Sequence, residues 1–471
     1  MKPWDAVVVG SGPNGLAAAV ALARAGHSVK VVEGQSTFGG GARTLPLTLP
    51  GFQHDVCSAI HPMAAGSPFF TELELHKHGV EFVHSPYAFA HPLGEGAAVL
   101  ERGVEATAAR LGPDEKAWLR LMKPLVRDFE VLKQLMYNPV TKPPLGAPFA
   151  AANFGLKALQ SAFWFAEENF ETVEAKALLA GGAAHSFSAL TTPLTNAFAM
   201  LMAVSGQVVG WPLVRGGSQK IIDALVALLL RNGGELERSQ PITSLAQLPP
   251  SKLVLFDTHA HVVERICGDA LPGWYRSLLT NFQLAPGVFK LDYALSGPMP
   301  WLSDDCRHAA TLHLGGSMPE IAESEARLSR GELPERPFVL VAQQSLWDDS
   351  RAPAGQHTLW AYCHVPNGSD CDATTQIEAQ LERYAPGFQK RVLAKAGKRT
   401  THMESMNAAY VGGDISGGAV EGLQLVLRPG HATPNPKLLI CGASSPPGPA
   451  VHGMCGYWAA QVALKKLRGA P

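Results

Sequence analysis

A glycine-rich turn between an apolar strand and a helix constrains the fold of this chain more than any other feature. Residues 6–9 are typical of a short buried strand and residues 16–24 of a helix. The turn between them consists of Gly10, Ser11, Gly12, Pro13, Asn14 and Gly15. In a dinucleotide-binding turn the first glycine makes the bend tight, the second lets a pyrophosphate approach, and the third packs the helix on the strand. Because the helix begins with free N–H groups and a positive dipole end, these six residues are predicted to bind phosphate.

The residues after this helix support a dinucleotide site. Gly26 ends the helix, residues 28–32 form a β-branched strand, and Glu33 follows that strand. An acidic residue there hydrogen-bonds the ribose hydroxyls and repels a 2′-phosphate, which favours FAD or NAD over NADP. A glycine turn alone also occurs in surface loops, and Glu33 alone is also typical of a solvated strand end. The order of strand, turn, helix and second strand favours the nucleotide interpretation.

A second glycine run, residues 38–44, favours FAD over NAD. It stands where the chain leaves the second strand and can return to the pyrophosphate, and it contains Gly40, Gly41, Ala42 and Arg43. Arg43 is predicted to hold a phosphate or to cover one side of a flavin. A flexible glycine linker is the alternative for the same residues.

The C-terminal segment is predicted to form another part of the cofactor site. Residues 437–441 form an apolar strand, a loop rich in Gly and Pro begins at Gly442, and residues 450–467 are predicted to be helical. The N-terminus of this helix is expected to face the pyrimidine edge of a flavin, where its dipole would stabilise the reduced anion. The residues predicted to lie there are Val451, His452 and Gly453. An ordinary terminal strand and helix is the alternative.

A middle segment is also predicted to contain a glycine turn followed by a helix and an extended stretch. Residues 211–217 lead to Ser218, a predicted N-cap, which precedes a helix over residues 219–231 and an extended stretch over residues 235–245.

Taken together, these motifs resemble the glutathione-reductase-like FAD enzymes, in particular the phytoene desaturase and amine oxidase families. Residues 361–368, 411–419 and 447–457 look like a bacterial branch similar to pyridine nucleotide-disulfide oxidoreductase domain-containing protein 2. The resemblance implies an α/β fold, α+β overall, with a Rossmann-like FAD domain of the glutathione-reductase type and a substrate lobe of mixed sheet and helices. It also implies that Ile242 lies near the adenine side of FAD.

The positions of the nucleotide-type segments predict a discontinuous FAD domain, made of residues 1–65, 205–265 and 411–471. The substrate lobe is then made of residues 66–204 and 266–410. Apolar helices are predicted over residues 118–137 and 156–170, with spacing more typical of core than of a channel. Strand-like runs at residues 288–295, 338–343 and 357–364 are expected to roof a pocket.

Composition excludes some classes of partner and leaves others open. The 471 residues carry a net charge of −1, so no basic face for nucleic acid is expected. Charged residues make up only 17%, which suggests a large core, an apolar cavity or a surface that touches a membrane. The most apolar stretch, residues 194–209, is interrupted by polar residues, and the first strand begins without a secretory leader. We therefore expect a cytoplasmic protein, with peripheral membrane contact left open. The seven cysteines include no C-x-x-C, so a redox-active disulfide is not expected.

One motif suggests a different class of enzyme. Residues 253–261 (LVLFDTHAH) resemble the first strand of the TatD-like and other amidohydrolases, in which a His-x-His pair binds a divalent ion. Such enzymes need a complete (β/α)8 barrel, and too little chain follows for one. No metal site is therefore expected, and solvated histidines after a buried strand are the preferred interpretation.

The chemistry expected from the resemblance is desaturation or dehydrogenation of a hydrophobic substrate, polyene-like or isoprenoid-like, by hydride transfer to flavin N5. Oxygen, a quinone or another carrier would accept the electrons. His61 and His452 are candidate catalytic residues that tune or relay a proton, with backbone-satisfied histidines as the alternative. Gly448-Pro449-Ala450 departs from the consecutive glycines of the family, because Pro449 removes an N–H and Ala450 adds a Cβ. An amine oxidase, a flavin-dependent saturase or isomerase, and a non-catalytic flavoprotein acting through a partner remain as alternatives.

Overall fold

The computed structural model describes residues 2–143, 146–425 and 427–469. The strands are β1 (Trp4–Val9), β2 (Val29–Val32), β3 (Thr44–Leu45), β4 (His54–Asp55), β5 (Phe82–Val83), β6 (Tyr87–Leu93), β7 (Gly96–Glu101), β8 (Leu213–Val214), β9 (Glu235–Glu237), β10 (Ser251–Phe256), β11 (Gly287–Leu295), β12 (Thr311–Leu314), β13 (Val339–Ala342), β14 (His357–Val365), β15 (Val392–Lys398) and β16 (Leu438–Ile440).

The α-helices are α1 (Pro13–Arg24), α2 (Pro62–Ala65), α3 (Pro68–Glu72), α4 (Val104–Ala109), α5 (Glu115–Arg127), α6 (Phe129–Tyr137), α7 (Pro148–Ala158), α8 (Ala162–Asn169), α9 (Val173–Ala184), α10 (Thr195–Val208), α11 (Gln219–Arg231), α12 (Ala260–Cys267), α13 (Gly273–Thr280), α14 (Met318–Ser329), α15 (Thr374–Tyr384), α16 (Thr400–Met406) and α17 (Met454–Leu467). None of the described helices combines the length and the apolar composition that crossing a membrane requires.

A five-stranded parallel sheet carries the predicted nucleotide segments. Its strand order is β16-β10-β1-β2-β9, so that β1 lies at the centre. Helices α1, α11 and α17 cover one face and α12 and α13 the other, which explains why residues 6–9 of β1 are all apolar, with Val7 and Val8 fully buried. All five strands fall within residues 1–65, 205–265 and 411–471.

Helices α1 and α17 pack closely against each other on one face of this sheet. A Cβ built on Gly456 of α17 would collide with the backbone oxygen of Asn14 in α1. The glycine therefore lets the last helix of the chain lie against the first one.

A seven-stranded mixed sheet forms the second unit, with the order β15-β11-β14-β13-β12-β6-β7. The pairs are antiparallel except for β12 and β6. All nine residues of β11 are buried. Helices α9 and α10 pack against β6 and β7, and α15 packs on β14. The predicted α/β fold with a Rossmann-like domain and a mixed second sheet is confirmed.

A buried ion cluster joins the two units. The guanidinium of Arg351, in the loop before β14, donates to Asp55 of β4 at 3.0 Å and to Asp348 at 2.7 Å, with all three side chains fully buried. Asp55 also accepts hydrogen bonds from the Thr44 hydroxyl and from the backbone N–H of Ser218.

Several predicted elements differ in detail. The extended stretch predicted over residues 235–245 is a strand only at Glu235–Glu237, because Ser239 turns with a φ of 59° and the chain then bonds back to the backbone of Gln35 and Glu33. Ser218 does not cap α11 through its side chain, since its hydroxyl donates to the carbonyl of Ser58 instead. The helix predicted from residue 450 begins at Met454, after Gly453 takes a φ of 70°.

The amidohydrolase alternative is wrong for residues 253–261. Strand β10 pairs in parallel with β1 and β16 in an open five-stranded sheet rather than in a (β/α)8 barrel. The ring of His261 bonds the carbonyl of Phe282 at 2.8 Å, and His259 accepts the backbone N–H of His261 at 3.2 Å.

Candidate functional site

A large cavity lies between the five-stranded sheet and the seven-stranded sheet. Its volume is about 780 Å³, within the range of small-molecule and cofactor sites. One end is formed by the carboxyl ends of β1, β2 and β10, where ligands of open parallel sheets bind. The other end is formed by one face of β12, β13 and β14 together with α10 and the residues after α9.

The first glycine turn lines the cavity from Gly10 to Asn14. Gly15 lies behind it, and its backbone N–H donates to Asp257 at 2.8 Å. A Cβ on Gly12 would lie 2.6 Å from the carboxylate Oδ2 of Asp257, so the backbone here leaves room only for glycine. The Oδ1 atom of Asn14 is buried and has no hydrogen-bond partner among the described residues. An unpartnered polar atom beside a phosphate-binding turn is expected where a ligand completes the hydrogen bonding.

Glu33 also lines the cavity, and its carboxylate is fixed by the protein. The Oε2 atom accepts hydrogen bonds from the backbone N–H and the hydroxyl of Ser11, at 2.9 and 2.6 Å. The Oε1 atom accepts the backbone N–H of Gln35 at 2.8 Å. These three bonds use three of the roughly four lone-pair sites of a carboxylate, so Oε1 keeps one site for a hydroxyl donor.

The second glycine turn lies against the first. A Cβ on Gly40 would come within 3.2 Å of the Cα of Gly12, and a Cβ on Gly41 would collide with the hydroxyl of Tyr410. Gly40, Gly41 and Ala42 line the cavity.

Arg43 is oriented differently from the sequence prediction. Its guanidinium donates to the carbonyls of Gly40 and Met406 and to the hydroxyl of Thr37, and the side chain is buried outside the cavity lining. Burial lowers the pKa of Arg43, although the nearby carboxylate of Glu33 acts against this.

The C-terminal loop contributes part of its predicted set. Val451 lines the cavity together with Pro449 and Ala450, whereas Gly442, His452 and Gly453 lie behind this surface. Ala450 has a φ of 137°, a backbone conformation that favours glycine. Ile242, predicted near the adenine side, lines the cavity next to Pro241 and Thr243.

The end of the cavity under the seven-stranded sheet is aromatic and uncharged. Within the described residues, the only Asp, Glu, Lys and Arg side chains in the lining are Glu33, Asp257 and Arg265, and all three belong to the five-stranded unit. The other end is lined by Phe187, Phe198, Met202, Trp211, Thr311, Leu340, Trp360 and Tyr362. Trp360 and Tyr362 lie two residues apart on β14, with ring centroids 5.0 Å apart at 89°.

The two candidate histidines occupy different environments. His61 lines the cavity, and its Nε2 bonds the hydroxyl of Ser218 at 2.7 Å, while its Nδ1 has no partner among the described residues. His452 accepts the backbone N–H of Met454 at 2.9 Å and does not line the cavity. Burial lowers the pKa of each to about 4, so both rings are neutral at physiological pH.

Sequence reasoning missed several residues that the fold brings to the cavity. Asp257, Tyr410 and His185 come from distant parts of the chain. The Nε2 of His185 lies 3.1 Å from the Nε2 of His313, so one ring donates to the other, and burial lowers the pKa of His185 to about 3. Only Asp257 gave a local signal, because it ends an apolar strand of the parallel sheet.

Known proteins resemble this chain over different lengths. Residues 8–73 match the NAD(P)-binding Rossmann-like domain family. Pyridine nucleotide-disulfide oxidoreductase domain-containing protein 2 of Rattus norvegicus is 24% identical, over 99% of this chain and 94% of that protein. One of the limonene dehydrogenase polypeptides of Castellaniella defragrans is 26% identical over 48% of this chain and 42% of that protein.

Solved structures share the fold at lower identity. An oxidoreductase from Methanosarcina mazei superposes with a TM-score of 0.67 at 17% identity, covering 98% of this chain and 99% of that one. Cyclohexylamine oxidase from Brevibacterium oxydans superposes with a TM-score of 0.61 at 16% identity, covering 99% of this chain and 100% of that one.

Proposed function

We propose that this chain, which belongs to the FAD-dependent amine-oxidase-like oxidoreductases, dehydrogenates a hydrophobic small molecule of the polyene or isoprenoid kind. The family that the sequence predicts is supported by relatives that match 99% of this chain, and the superposed amine oxidase shares the fold. The observation that supports the proposed substrate is the cavity, which has a nucleotide-type end and an uncharged aromatic end.

The residues at the nucleotide-type end of the cavity fit FAD. Gly10 to Asn14 and Gly40 to Ala42 form two contiguous glycine turns, and the buried Asn14 Oδ1 lacks a partner among the described residues. Glu33 would accept a ribose hydroxyl, and the start of α1 would receive the pyrophosphate. When bound, FAD would supply a hydride acceptor at flavin N5. The residues around it would bind the substrate, orient it and exclude water.

The aromatic end favours an uncharged substrate. Trp360, Tyr362 and Leu340 present rings and an alkyl group, and the histidines that line the cavity are kept neutral by burial. A charged substrate would lose its hydration there without gaining a counterion. The partial relative named for limonene is consistent with a hydrocarbon substrate.

Anaerobic reduction of the holoenzyme tests the proposal. Cyclic and linear isoprenoid hydrocarbons are expected to bleach the flavin absorption band, and oxygen or a quinone would then restore it. Leu340→Asp is expected to retain FAD but to slow this reduction at least tenfold, because it places an anion in the uncharged end. Leu340→Val is the matched control. If the flavin band bleaches only when a reductant is added, and the reduced flavin then reduces the substrate, the enzyme is a saturase. If no substrate is turned over, the chain is a non-catalytic flavoprotein.

An amine oxidase is the second candidate. The perpendicular rings of Trp360 and Tyr362 offer two aromatic surfaces to an amine. This activity would release hydrogen peroxide from amine substrates under air, and it would leave the flavin oxidised when hydrocarbons are added anaerobically.

We further propose peripheral contact with an anionic membrane through a surface on α7, the first turn of α8 and the residues before them. Phe149 is 90% exposed, and Val140, Leu156, Leu159 and Trp164 are each more than half exposed. No Asp or Glu occurs between Glu130 and Glu167, whereas Lys133, Lys142 and Lys157 do occur there. An apolar surface among lysines suits the interface of an anionic bilayer.

Vesicle flotation tests this contact. The protein is expected to float with phosphatidylglycerol vesicles and not with phosphatidylcholine vesicles. Phe149→Ser with Leu156→Ser is expected to abolish flotation, while Trp274→Ser, at a residue 66% exposed on another helix, is expected to leave it unchanged. Equal flotation of all variants would contradict the proposal.

A further inference from the structure

Asp257 places a carboxyl group beside the glycine turn at the nucleotide end of the cavity. It follows β10 directly, and its backbone N–H continues the pairing with β1 by donating to the carbonyl of Val9 at 2.8 Å. Its Oδ2 accepts the backbone N–H of Gly15 at 2.8 Å. The side chain is therefore fixed against the start of α1.

Asp257 borders the cavity beside the glycine turn. Its carboxyl group accepts backbone hydrogen bonds from Gly15 and Gly12, and no side chain among the described residues donates to it. Asn14 lines the same part of the cavity, and its buried Oδ1 has no hydrogen-bond partner among the described residues. Asp257 thus presents its carboxyl group to a ligand that binds at this turn.

The charges around Asp257 do not suit a carboxylate next to a pyrophosphate. Glu33 brings a second carboxyl group to the cavity from β2. Cys441 and Cys455 face Asp257 from the end of β16 and from α17, and burial raises both thiol pKa values, that of Cys455 to about 12, so they stay uncharged. Arg43, the cation predicted to hold a phosphate, instead donates to carbonyls outside the lining, and Arg265 of α12, the one Arg or Lys in the described lining, is not among the groups that shift the pKa of Asp257.

We propose that Asp257 is a cofactor-binding residue that meets the pyrophosphate of FAD as a neutral carboxylic acid, donating its O–H to a phosphate oxygen. This inference rests on the proposed binding of FAD. A neutral acid can keep accepting the Gly15 N–H with one oxygen while the other oxygen donates. A carboxylate in that place would only accept hydrogen bonds and would repel the dianion.

The pKa of Asp257 in the FAD-free protein agrees with this role. Removal of the carboxyl group from water raises the pKa of Asp257 to about 7; the nearby charge of Glu33 acts in the same direction, and the backbone hydrogen bonds from Gly15 and Gly12 act against it. A bound pyrophosphate adds negative charge and raises that pKa further. FAD binding then takes up a proton above pH 7, so affinity is highest below pH 7 and falls as the pH rises.

The test measures FAD binding to the apoprotein, by fluorescence quenching of added FAD at pH 6 and pH 9. The native chain is expected to bind roughly 30- to 100-fold more weakly at pH 9, because each pH unit above the pKa costs about tenfold. Asp257→Asn, which keeps a donor in every protonation state, is expected to bind within about threefold at the two pH values. Asp223→Asn, at a half-exposed carboxylate of α11, is the matched control and should follow the native chain.

A second measurement keeps the result independent of the stability of the variant. Calorimetric titration of the native apoprotein with FAD at pH 8, in two buffers of different ionisation enthalpy, is expected to show uptake of close to one proton. The same pH dependence in native and Asp257→Asn chains, or no proton uptake, would overturn the inference while leaving FAD binding intact. No FAD binding at any pH would instead overturn the proposed function.

Discussion

Replacing Arg351 by methionine is expected to destabilise the protein in a pH-dependent way. The substitution keeps much of the side-chain volume and removes the cation that bonds Asp55 at 3.0 Å and Asp348 at 2.7 Å. All three groups are fully buried, so no water replaces the lost partner. Removing one partner of a buried ion pair costs about 3–5 kcal/mol.

The sign of the pH dependence follows from the two carboxyl groups. Burial alone would raise the pKa of Asp55, but in the native fold the Arg351 guanidinium and the bonds from Ser218 and Thr44 hold it below its usual value. The pKa of Asp348 is lowered in the same way. This native contribution is present above the unfolded pKa and is lost as the pH falls through the folded one. In Arg351→Met the burial remains without the cation, so the folded pKa values rise and acid relieves the cost.

Equilibrium urea unfolding followed by tryptophan fluorescence measures this effect at pH 7.5 and pH 4.5. The gap in the free energy of unfolding between native and variant chains is expected to be largest at pH 7.5. It should narrow by about 1.4 kcal/mol for each unit by which a carboxyl pKa is raised above the lower pH.

Two further variants make the reasoning refutable. Arg307→Met, at a half-exposed arginine 3.8 Å from Asp304, is expected to change stability by less than about 0.5 kcal/mol. Asp55→Asn with Arg351→Met should recover part of the loss at pH 7.5. A loss below about 1 kcal/mol, an equal gap at both pH values, or no recovery in the double variant would refute the argument.

Three other substitutions have expected outcomes. Glu33→Gln should weaken FAD binding about 10- to 100-fold in a flavin-release assay, because it removes charged hydrogen bonds worth about 1.5–3 kcal/mol each; unchanged affinity would exclude the ribose role. Ala450→Gly should stabilise the apoprotein by about 1 kcal/mol in urea unfolding, because relief of the strained φ of 137° exceeds the entropic cost of glycine; destabilisation would contradict the strain. His61→Gln should leave the pH profile of flavin reduction unchanged between pH 5.5 and pH 8, because burial lowers the pKa of His61 to about 4. If the variant loses an inflection in that range, His61 titrates there and the prediction is wrong.

The local parts of the site were predictable from the sequence. The Gly10–Gly15 turn and Glu33 depend on neighbours within about thirty residues, and the order of strand, turn and helix specifies their geometry. The helix over Gln219–Arg231 also has the predicted bounds, because apolar periodicity and a Gly-Gly stop determine it.

The rest depends on contacts that no local pattern contains. Arg43 turns to the carbonyl of Met406, which lies far along the chain, and this decides where its charge goes. His185 and His313 meet only because α9 packs beside the second sheet. Asp257 stood inside a motif that suggested metal binding, and only the pairing of β10 with β1 shows that it faces the glycine turn.

The close packing of α17 on α1 has a consequence for synthesis of the protein in the cell. The glycine turn is synthesised long before β16 and α17, which complete its sheet and cover its helix. Strand β1 and the largely buried α1 therefore remain without these partners until α17 has been synthesised. A polypeptide that ends before Met454 lacks the helix that covers α1 behind the glycine turn.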